Sequence, residues 1–547
     1  MDLKEQIQNL IEGDVADDKK TLQEKANDAS LFEVMPRLVV YPKNADDIKK
    51  LVTFVNEHKA VDPTLSLTAR AAGTGMSGGA LSKSIILDVT KYMNHIGDIS
   101  ETEGVVEPGA YYRDFETETL KKGVLMPSYP ASKRLCAIGG MVGNNAGGEK
   151  TLSYGSTKEY VRKLKVILTD GNEYEIKPIT KAKLDAKMSQ QDFEGEFYRK
   201  LFTLITENED VIKNAKPKVS KNSTGYFIWD VWDGKTFDLP KLFVGSQGTL
   251  GITTEATFGL IKPKTHSKMV VAFLKEKDFE NLGEIVNTVL THKPETFESY
   301  DDETFKLVFK YFPDMVKAMK GRLLTLAWSF IPEAWMVLTK GFPKLVLMAE
   351  FTGDSEEEVA SQAEVAHKDI ARFGLNTRIT TDPKDAEKYW AIRHESFNLL
   401  RKHIKKARTA PFIDDIIVLP EQLPEFLPRL NKIMGEYDLV FTIAGHIGDA
   451  NFHIIPLMDF TNPTSQKVFE ELTEKVFNLV FEFHGSVSAE HNDGIVRTPY
   501  LRKMYGDRMY ELFGEIKDIF DPQNIFNPGK KVDGTWKYTM NHIDTEY

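Results

Sequence analysis

Cysteine is nearly absent from this 547-residue chain, and Cys136 is the single one. One thiol excludes an internal disulfide framework, a four-thiolate zinc site and an iron–sulfur cluster held by this chain alone. Such scarcity fits a reducing, cytoplasmic compartment. Excess positive charge is lacking too. The 70 Lys and Arg stand against 81 Asp and Glu, a formal charge of −11, whereas nucleic-acid binders need a clustered positive field. The first twenty residues, MDLKEQIQNLIEGDVADDKK, contain no apolar signal core. No run approaches the ~20 apolar residues of a spanning helix. The longest, Leu323–Leu338 (LLTLAWSFIPEAWMVL), carries Pro332 and Glu333 at its centre. Its basic flanks and two tryptophans allow a peripheral element against the inner face of an anionic membrane. A helical hairpin buried in a core or a subunit contact is the alternative. Fixed-period repeats, low-complexity tracts and an HExxH motif are all missing.

What is present is ordinary globular composition, 41% hydrophobic and 28% charged. That is enough for sizeable cores, and the length suits two to four domains at roughly 150 residues each. Residues 1–34 read as a helical segment, with Leu3, Ile7, Leu10 and Ile11 at helical spacing. Residues 35–262 alternate short strands and helices. Strands are expected at 38–42, 65–70, 84–89 and 104–110, with a hairpin over 161–176 turning at Asp170-Gly171-Asn172. Ala45–His58 is an amphipathic helix with Asn44 as N-cap, and Tyr111–Lys122 is another helix. From about residue 263 to 499 a second α+β unit follows, with strands at 270–274, 345–353 and 438–445 and a helix over Ser355–Phe373. Residues 500–547 are helical to Phe520 and end in DPQNIFNPGK before a short tail.

Gly73, Gly75 and Gly78 spell a literal GxGxxG. A dinucleotide-binding turn of that type needs a helix to start in the loop, because the helix N-terminus carries the pyrophosphate. Here ARAAGTGMSGGALSKSIILDV returns to a strand, so that reading fails. Backbone N–H groups of a glycine loop still form an anion nest. A lone match would be a glycine-rich connection. Two further runs, IGGMVGNNAGG (138–148) and GSQGTLGI (245–252), lie in the same ~220-residue region. Together they point to close backbone approach to an extended ligand.

A second constellation is GHIGDANFH (445–453), where His446 and His453 flank a Gly448-Asp449 turn. A hairpin there places both imidazoles at one end of adjacent strands, suited to a divalent first-row metal. SAEHNDG (488–494) adds Glu490 and His491. Two imidazoles and a carboxylate leave positions open for substrate. Each histidine alone would be structural, but three with a glutamate in two glycine-flanked loops read as a site.

RAAGTGMSGGAL, PSYPASKRLCAIGGMVGNNAGG, LSYGSTKEYV and GSQGTLGITTEA, in that order, resemble the FAD-binding domain of the vanillyl-alcohol-oxidase/PCMH flavoprotein superfamily. The resemblance extends over essentially all of the chain after the first ~30 residues. It implies an α+β fold: a PCMH-type FAD domain of two α+β subdomains, and an α+β cap domain with an antiparallel sheet. The last segment returns to the FAD domain. It further implies that Arg70, Ala71, Ala72, Gly73, Thr74, Gly75, Met76 and Ser77 wrap the FAD together with Gly139, Gly140, Asn144, Asn145, Gly147 and Gly148. Pro130, Ser132, Tyr154, Gly155 and Asn527 join them, and Gly245, Gly248, Thr249, Gly251 and Ile252 hold the other side. The first loop has no histidine and Cys136 is not placed for a cysteinyl link, so the FAD is expected to be non-covalent, with Cys136 a small buried residue.

GHxGDxNxH and EHxDGxxR are similar to motifs of the D-2-hydroxyacid dehydrogenases of that superfamily, of the D-lactate, glycolate and D-2-hydroxyglutarate types. Carried over, His446, His453 and Glu490 are ligands of a zinc, manganese or iron ion, and His491 is the base. Where many members read GEHGIG, this chain has Ala489 before the glutamate and Asn492-Asp493 before Gly494, matching a sub-branch often fused to an iron–sulfur domain. This chain lacks the cysteines for one, so a separate electron acceptor (a quinone, an electron carrier or an iron–sulfur protein) is expected. Arg393 in YWAIRHESF matches the position that binds the substrate carboxylate, where a guanidinium suits bidentate capture. Arg408 is a second candidate, and Arg497 could equally pair with acidic neighbours. The expected reaction is oxidation of a D-2-hydroxy acid to the 2-oxo acid. The alternatives are an ether-lipid-synthase-like FAD enzyme without net substrate oxidation, a metal-dependent hydrolase, and a non-catalytic flavin module.

Overall fold

The computed structural model describes residues 2–310, 335, 338, 339, 341–403 and 407–546. The apolar stretch Leu323–Leu338 therefore lies outside the described residues apart from Trp335 and Leu338, both exposed. Among the described residues no helix is long and apolar enough to cross a membrane.

The first sheet contains β1 (Asp14–Ala16), β2 (Leu38–Tyr41), β3 (Leu67–Arg70) and β4 (Ile85–Asp88) in the order β1-β2-β4-β3. β2 and β3 both run parallel to β4. Parallel neighbours need a crossover of about a dozen residues, and residues 71–84 supply it without a helix. The glycine loop is that crossover. The helix Ala45–His58 forms as its sequence indicates, with Asn44 Oδ1 accepting the Asp47 amide, and buries Ile48, Leu51, Val52 and Val55. The first 34 residues differ from the helical expectation. Two helices, Leu3–Leu10 and Lys19–Ala26, flank β1, which pairs antiparallel with β2. Gly13 permits this approach, since a methyl group there would overlap the Tyr41 carbonyl oxygen.

The second sheet holds β5 (Ile96–Ile99), β6 (Glu103–Val106), β7 (Val161–Ile167) and β8 (Glu173–Ile176). After the small pair β9 (Ile179–Thr180) and β10 (Thr236–Phe237) comes β11 (Ile252–Gly259), which enters this sheet between β6 and β7. The expected 161–176 hairpin is β7–β8. Helices Phe193–Glu207 and Asp507–Phe520 share its core, with Phe197, Leu201, Phe513 and Phe520 buried.

The third sheet has eight strands, all antiparallel: β12 (His266–Leu274), β13 (Thr296–Asp301), β14 (Leu345–Gly353), β15 (Asn376–Ile379), β16 (Arg408–Thr409), β17 (Ile416–Ile417), β18 (Val440–His446) and β19 (Asn451–Met458). Its order is β15-β12-β14-β13-β18-β19-β16, with β17 also on β19. One face packs on helices Leu282–Thr291, Glu356–Ala371 and Pro463–Glu482, and the other takes Tyr389 and Ile392 of the helix Pro383–His403. The C-terminal segment returns to the first sheet. The Leu67 amide donates to the Ile525 carbonyl, and the Asn527 amide to the Leu67 carbonyl.

Candidate active site

Three glycine runs meet at the join between the sheets. The first leaves β3 at Arg70, whose buried guanidinium donates to the Lys25 and Asn27 carbonyls. Gly73 sits at φ +67, where a Cβ would also strike that guanidinium. The second run is not all loop. Ile138–Asn144 is a short helix ended by Asn145 in the left-handed region, whose Oδ1 takes the Lys158 amide. The third run carries Gly245 and Gly248 at positive φ and leads through Thr249 into β11. Gly75 faces Asn144, Gly140 faces Ala71, Gly143 faces Gln247 and Gly248 faces Ala69, each with room for a Cβ at ordinary contact distance. The three runs therefore lie against one another with their backbone bare, an arrangement that suits close approach of an extended phosphate-bearing cofactor. Asn527 Nδ2 donates to the Gly79 carbonyl (2.8 Å) and the Gln247 carbonyl (2.7 Å), fastening the first run to the third. Pro130 and Ser132 lie at the turn before the second run, and the Tyr154 hydroxyl donates to Glu295 Oε1 at 2.8 Å.

The histidine cluster abuts these runs. β18 and β19 form the expected hairpin, turning through Ile447–Asp449 with Ala450 left-handed. The His446 and His453 rings lie 5.2 Å apart. The loop Ala489–Ile495 brings Glu490 and His491 to them. Glu490 Oε1 lies 3.2 Å from His446 Nε2, 3.4 Å from His453 Nε2 and 4.0 Å from His491 Nε2. Three ring nitrogens thus converge on one carboxylate oxygen. Asp415, His453, Glu490 and His491 also offer donor atoms all within 4.8 Å of one another. Asp415 is committed elsewhere, however. Its Oδ2 accepts from Ser488 Oγ and from the amides of Glu490 and His491, and its Oδ1 from Asn451 Nδ2.

Each opposite ring nitrogen meets a carboxylate. His446 Nδ1 bonds Glu298 Oε1 at 2.6 Å, His453 Nδ1 bonds Asp414 Oδ1 at 3.0 Å, and His491 Nδ1 lies 2.7 Å from Asp414 Oδ2. This carboxylate–imidazole arrangement orients ligands in metal sites. Burial alone would raise the Glu298 carboxyl, but the His446 and Arg393 charges outweigh it and hold the group at about 2. Burial pulls His453 down, yet Asp414 and Glu490 push it up to about 10. Glu490 is likewise held well below the usual carboxylate range against its own burial, by His446 and Lys221. Lys221 Nζ is buried 3.2 Å from Asp449 Oδ2 and 3.5 Å from Glu490 Oε2. Lys221 and Arg393 balance two of the five buried carboxylates (Glu298, Asp414, Asp415, Asp449, Glu490), and the remainder is met by protonated imidazoles or, with the rings neutral as ligands are, leaves a surplus of negative charge. A bound cation would offset it.

Arg393 is placed at this site, its Nε 2.7 Å from Glu298 Oε2. Arg408 is not: it pairs with Asp544 and the Ser30 carbonyl at the far end of β19. Arg497 pairs with no acid side chain among the described residues. Fully buried, it donates to the carbonyls of Val487, Asn492 and Asp414, and so clamps the motif loop. Cys136 is buried, and its thiol is pushed up to about 12 by that burial. Sequence reasoning missed Glu298, Asp414, Asp415 and Lys221. The pair of acids inside FIDDIIV was a usable signal, because charge within an apolar run implies a buried partner.

The loop 488–495 touches all three glycine runs. Ser77 Oγ donates to the His491 carbonyl and the Ile495 amide to the Ser77 carbonyl. Asn492 Nδ2 reaches the carbonyls of Asn144 (3.2 Å) and Gly245 (2.9 Å), and the Gly494 amide donates to Gln247 Oε1.

Side-chain-free glycine runs beside an imidazole–carboxylate cluster suit a flavin-binding fold. Residues 36–177 match the FAD binding domain family, and residues 265–531 match FAD linked oxidases, C-terminal domain. Together the two matches take in about three quarters of the chain, which carries both an FAD binding domain and the C-terminal domain of FAD linked oxidases. It is 25% identical over 525 residues to D-2-hydroxyglutarate dehydrogenase of Pseudomonas putida, covering 95% of this chain and 50% of that one. The chain thus spans about half the length of that relative, and about half of its counterpart in Escherichia coli. It is 26% identical over 504 residues to glycolate oxidase subunit GlcD of Bacillus subtilis (91% of this chain, 89% of that one). The figure is also 26% over 497 residues for D-lactate dehydrogenase of Archaeoglobus fulgidus (90% and 91%). Among solved structures, 4-ethylphenol oxidase from Gulosibacter chungangensis superposes with a TM-score of 0.69 at 17% identity, covering 98% of this chain and 97% of that one. p-Cresol methylhydroxylase gives 0.67 at 16% identity, covering 97% and 96%. Alkyldihydroxyacetonephosphate synthase gives 0.63 at 13%, covering 94% and 82%. At such identities these likenesses concern the fold.

Proposed function

We propose that this protein oxidises a D-2-hydroxy acid of the D-lactate, glycolate or D-2-hydroxyglutarate class to the 2-oxo acid. FAD is held non-covalently between the three glycine runs, and a divalent zinc, manganese or iron ion by His446, His453 and Glu490. The observation that carries the reading is the loop 488–495, which holds Glu490 and His491 while hydrogen-bonded to all three runs. Its hydrogen bonds to the three runs support a base and a ligand beside the FAD. The names of the relatives at 25–26% identity support the substrate class.

Bound FAD would supply a hydride acceptor, and the bound ion a Lewis acid for the substrate hydroxyl. The chain's own residues do the rest. Glu298 and Asp414 hold the Nδ1 sides of His446 and His453, so both Nε2 atoms face Glu490 and would present their lone pairs to an ion bound between them. His491 takes the hydroxyl proton at Nε2 as general base. Arg393 receives the substrate carboxylate, with its guanidinium fixed at Nε by Glu298. Electrons leave to a non-NAD acceptor, in our reading a quinone, an electron carrier or an iron–sulfur protein.

The test is anaerobic bleaching of the flavin bands by D-lactate, glycolate and D-2-hydroxyglutarate, in wild type and His491→Ala. Wild type should be bleached by at least one acid. His491→Ala should keep its flavin and lose at least ~100-fold in reduction rate. Unchanged reduction in the variant would remove His491 from the base role. A yellow protein bleached by no acid would overturn the substrate class.

A further inference from the structure

Asp414 is anchored through its backbone carbonyl and one carboxylate oxygen, and nothing in the chemistry above yet requires the second oxygen. It is fully buried just before β17. Its carbonyl oxygen accepts from Arg497 Nη2 at 2.7 Å. The next residue, Asp415, has φ +71, a strained value for a non-glycine residue, and its side chain ties down Ser488 and the amides of Glu490 and His491. Between these anchors the Asp414 carboxylate spans two imidazoles, with Oδ1 3.0 Å from His453 Nδ1 and Oδ2 2.7 Å from His491 Nδ1. The two rings stack over it at 5.1 Å and 27°.

We infer that Asp414 is a positioning residue shared by a metal ligand and the general base, fixing the tautomer and the spacing of both through one carboxylate. This rests on the roles proposed above for His453 and His491. A carboxylate only accepts hydrogen bonds. With a metal bound and both rings neutral, it draws the His453 proton to Nδ1 through their hydrogen bond and the His491 proton to Nδ1 through their 2.7 Å contact, leaving the lone pair of each on Nε2. One lone pair then serves as ligand and the other as base, and the stack sets them one ring separation apart. Carbonyl acceptors on separate strands could fix each tautomer but would let the rings move independently.

Asp414→Asn tests this, because the amide keeps nearly the same volume and offers one acceptor and one donor. One ring would then meet an N–H at its Nδ1, move its own proton to Nε2 and lose the lone pair its role needs. Zinc affinity should be measured by competition with a chromophoric chelator, and flavin reduction by single-turnover mixing with the acid that bleaches wild type. Flavin content and far-UV circular dichroism should match wild type. Either zinc affinity falls about 10–100-fold, or it is retained and reduction slows about 100-fold or more with KM within about threefold. Both quantities staying within about threefold of wild type would overturn the inference. Should the variant fold poorly, wild type carries the test alone. Long-range ¹H–¹⁵N correlation of the zinc-loaded protein, assigned with His491→Gln, should show His453 and His491 both protonated at Nδ1. An Nε2–H form of either ring would overturn the proposal. Wild type that takes up no zinc and is bleached by no acid refutes the underlying reading, and Asp414's role with it.

Discussion

Lys531 offers the sharpest stability test, because it joins the C-terminal segment to the motif loop through a fully buried charge. Its Nζ lies 2.8 Å from Asp493 Oδ2 and donates to the Gly225 carbonyl at 2.8 Å and the Ser223 carbonyl at 3.1 Å, with both charged side chains at 0% exposure. Lys531→Met keeps the stem and deletes the ammonium. Asp493 is then left as a buried carboxylate whose Oδ2 retains only the Gly225 amide at 2.9 Å. Breaking a buried pair from one side costs about 3–5 kcal/mol, and each carbonyl losing its donor adds ~1 kcal/mol. A loss of about 5 kcal/mol lowers Tm by about 10–20 °C for a cooperative unit of 150–250 residues. Melts followed by far-UV circular dichroism and by flavin fluorescence would read it. Adding Asp493→Asn should recover more than half of the loss, since the unpaired charge is then gone. A drop below about 3 °C in the single variant would refute the reasoning, because water or a proton would then be neutralising Asp493.

Cys136 should resist maleimide in the native protein even at pH 9 and react once urea unfolds it, since burial holds its thiol at about 12. Labelling at the rate of a free thiol would contradict this. Lys530 has its ammonium pulled down to about 8 by burial, with Asp28 only partly restoring it. The folded state therefore binds this proton less well than the unfolded chain. Stability should rise between about pH 8 and 10.5, by up to ~3 kcal/mol in wild type relative to Lys530→Met. Parallel urea midpoints for the two proteins across that window would rule it out. Gly445→Ala should disorder the hairpin, because the added methyl overlaps the Asn451 carbonyl oxygen beside His446. Zinc affinity should fall at least about tenfold, and an unaltered affinity would show that the strands can separate at no cost.

Much of the fold was legible where the cause is local. Asn44 caps the helix Ala45–His58 through the next turn, and the strand 345–353 and the 161–176 hairpin lie where an apolar run and an Asp-Gly-Asn turn put them. The first glycine run was correctly denied a helix, because its return to β4 is written within a dozen residues. The N-terminal segment was misread as helix alone. β1 exists only through its pairing with β2 and the Asp47 side chain that binds the Glu12 and Gly13 amides, and no short-range pattern carries either contact. Within the second run, Ile138–Asn144 became helical despite its glycines, since packing on the second core outweighs their weak helix propensity.

The same division holds at the site. The sequence by itself determined the donors: His446 and His453 one hairpin turn apart, Glu490 beside His491, and three runs without side chains. Residue chemistry and short spacing are sufficient for that. Only the tertiary structure decided what aims them. Glu298 is 148 residues from His446, Asp414 is 39 from His453, and Lys221 reaches Glu490 from a separate connection. It also separated three arginines alike in sequence, leaving Arg393 on Glu298, Arg408 on Asp544 and Arg497 on backbone carbonyls. A charge acquires its role from whichever partner the fold buries beside it, and that partner is set by strand order, not by distance along the chain.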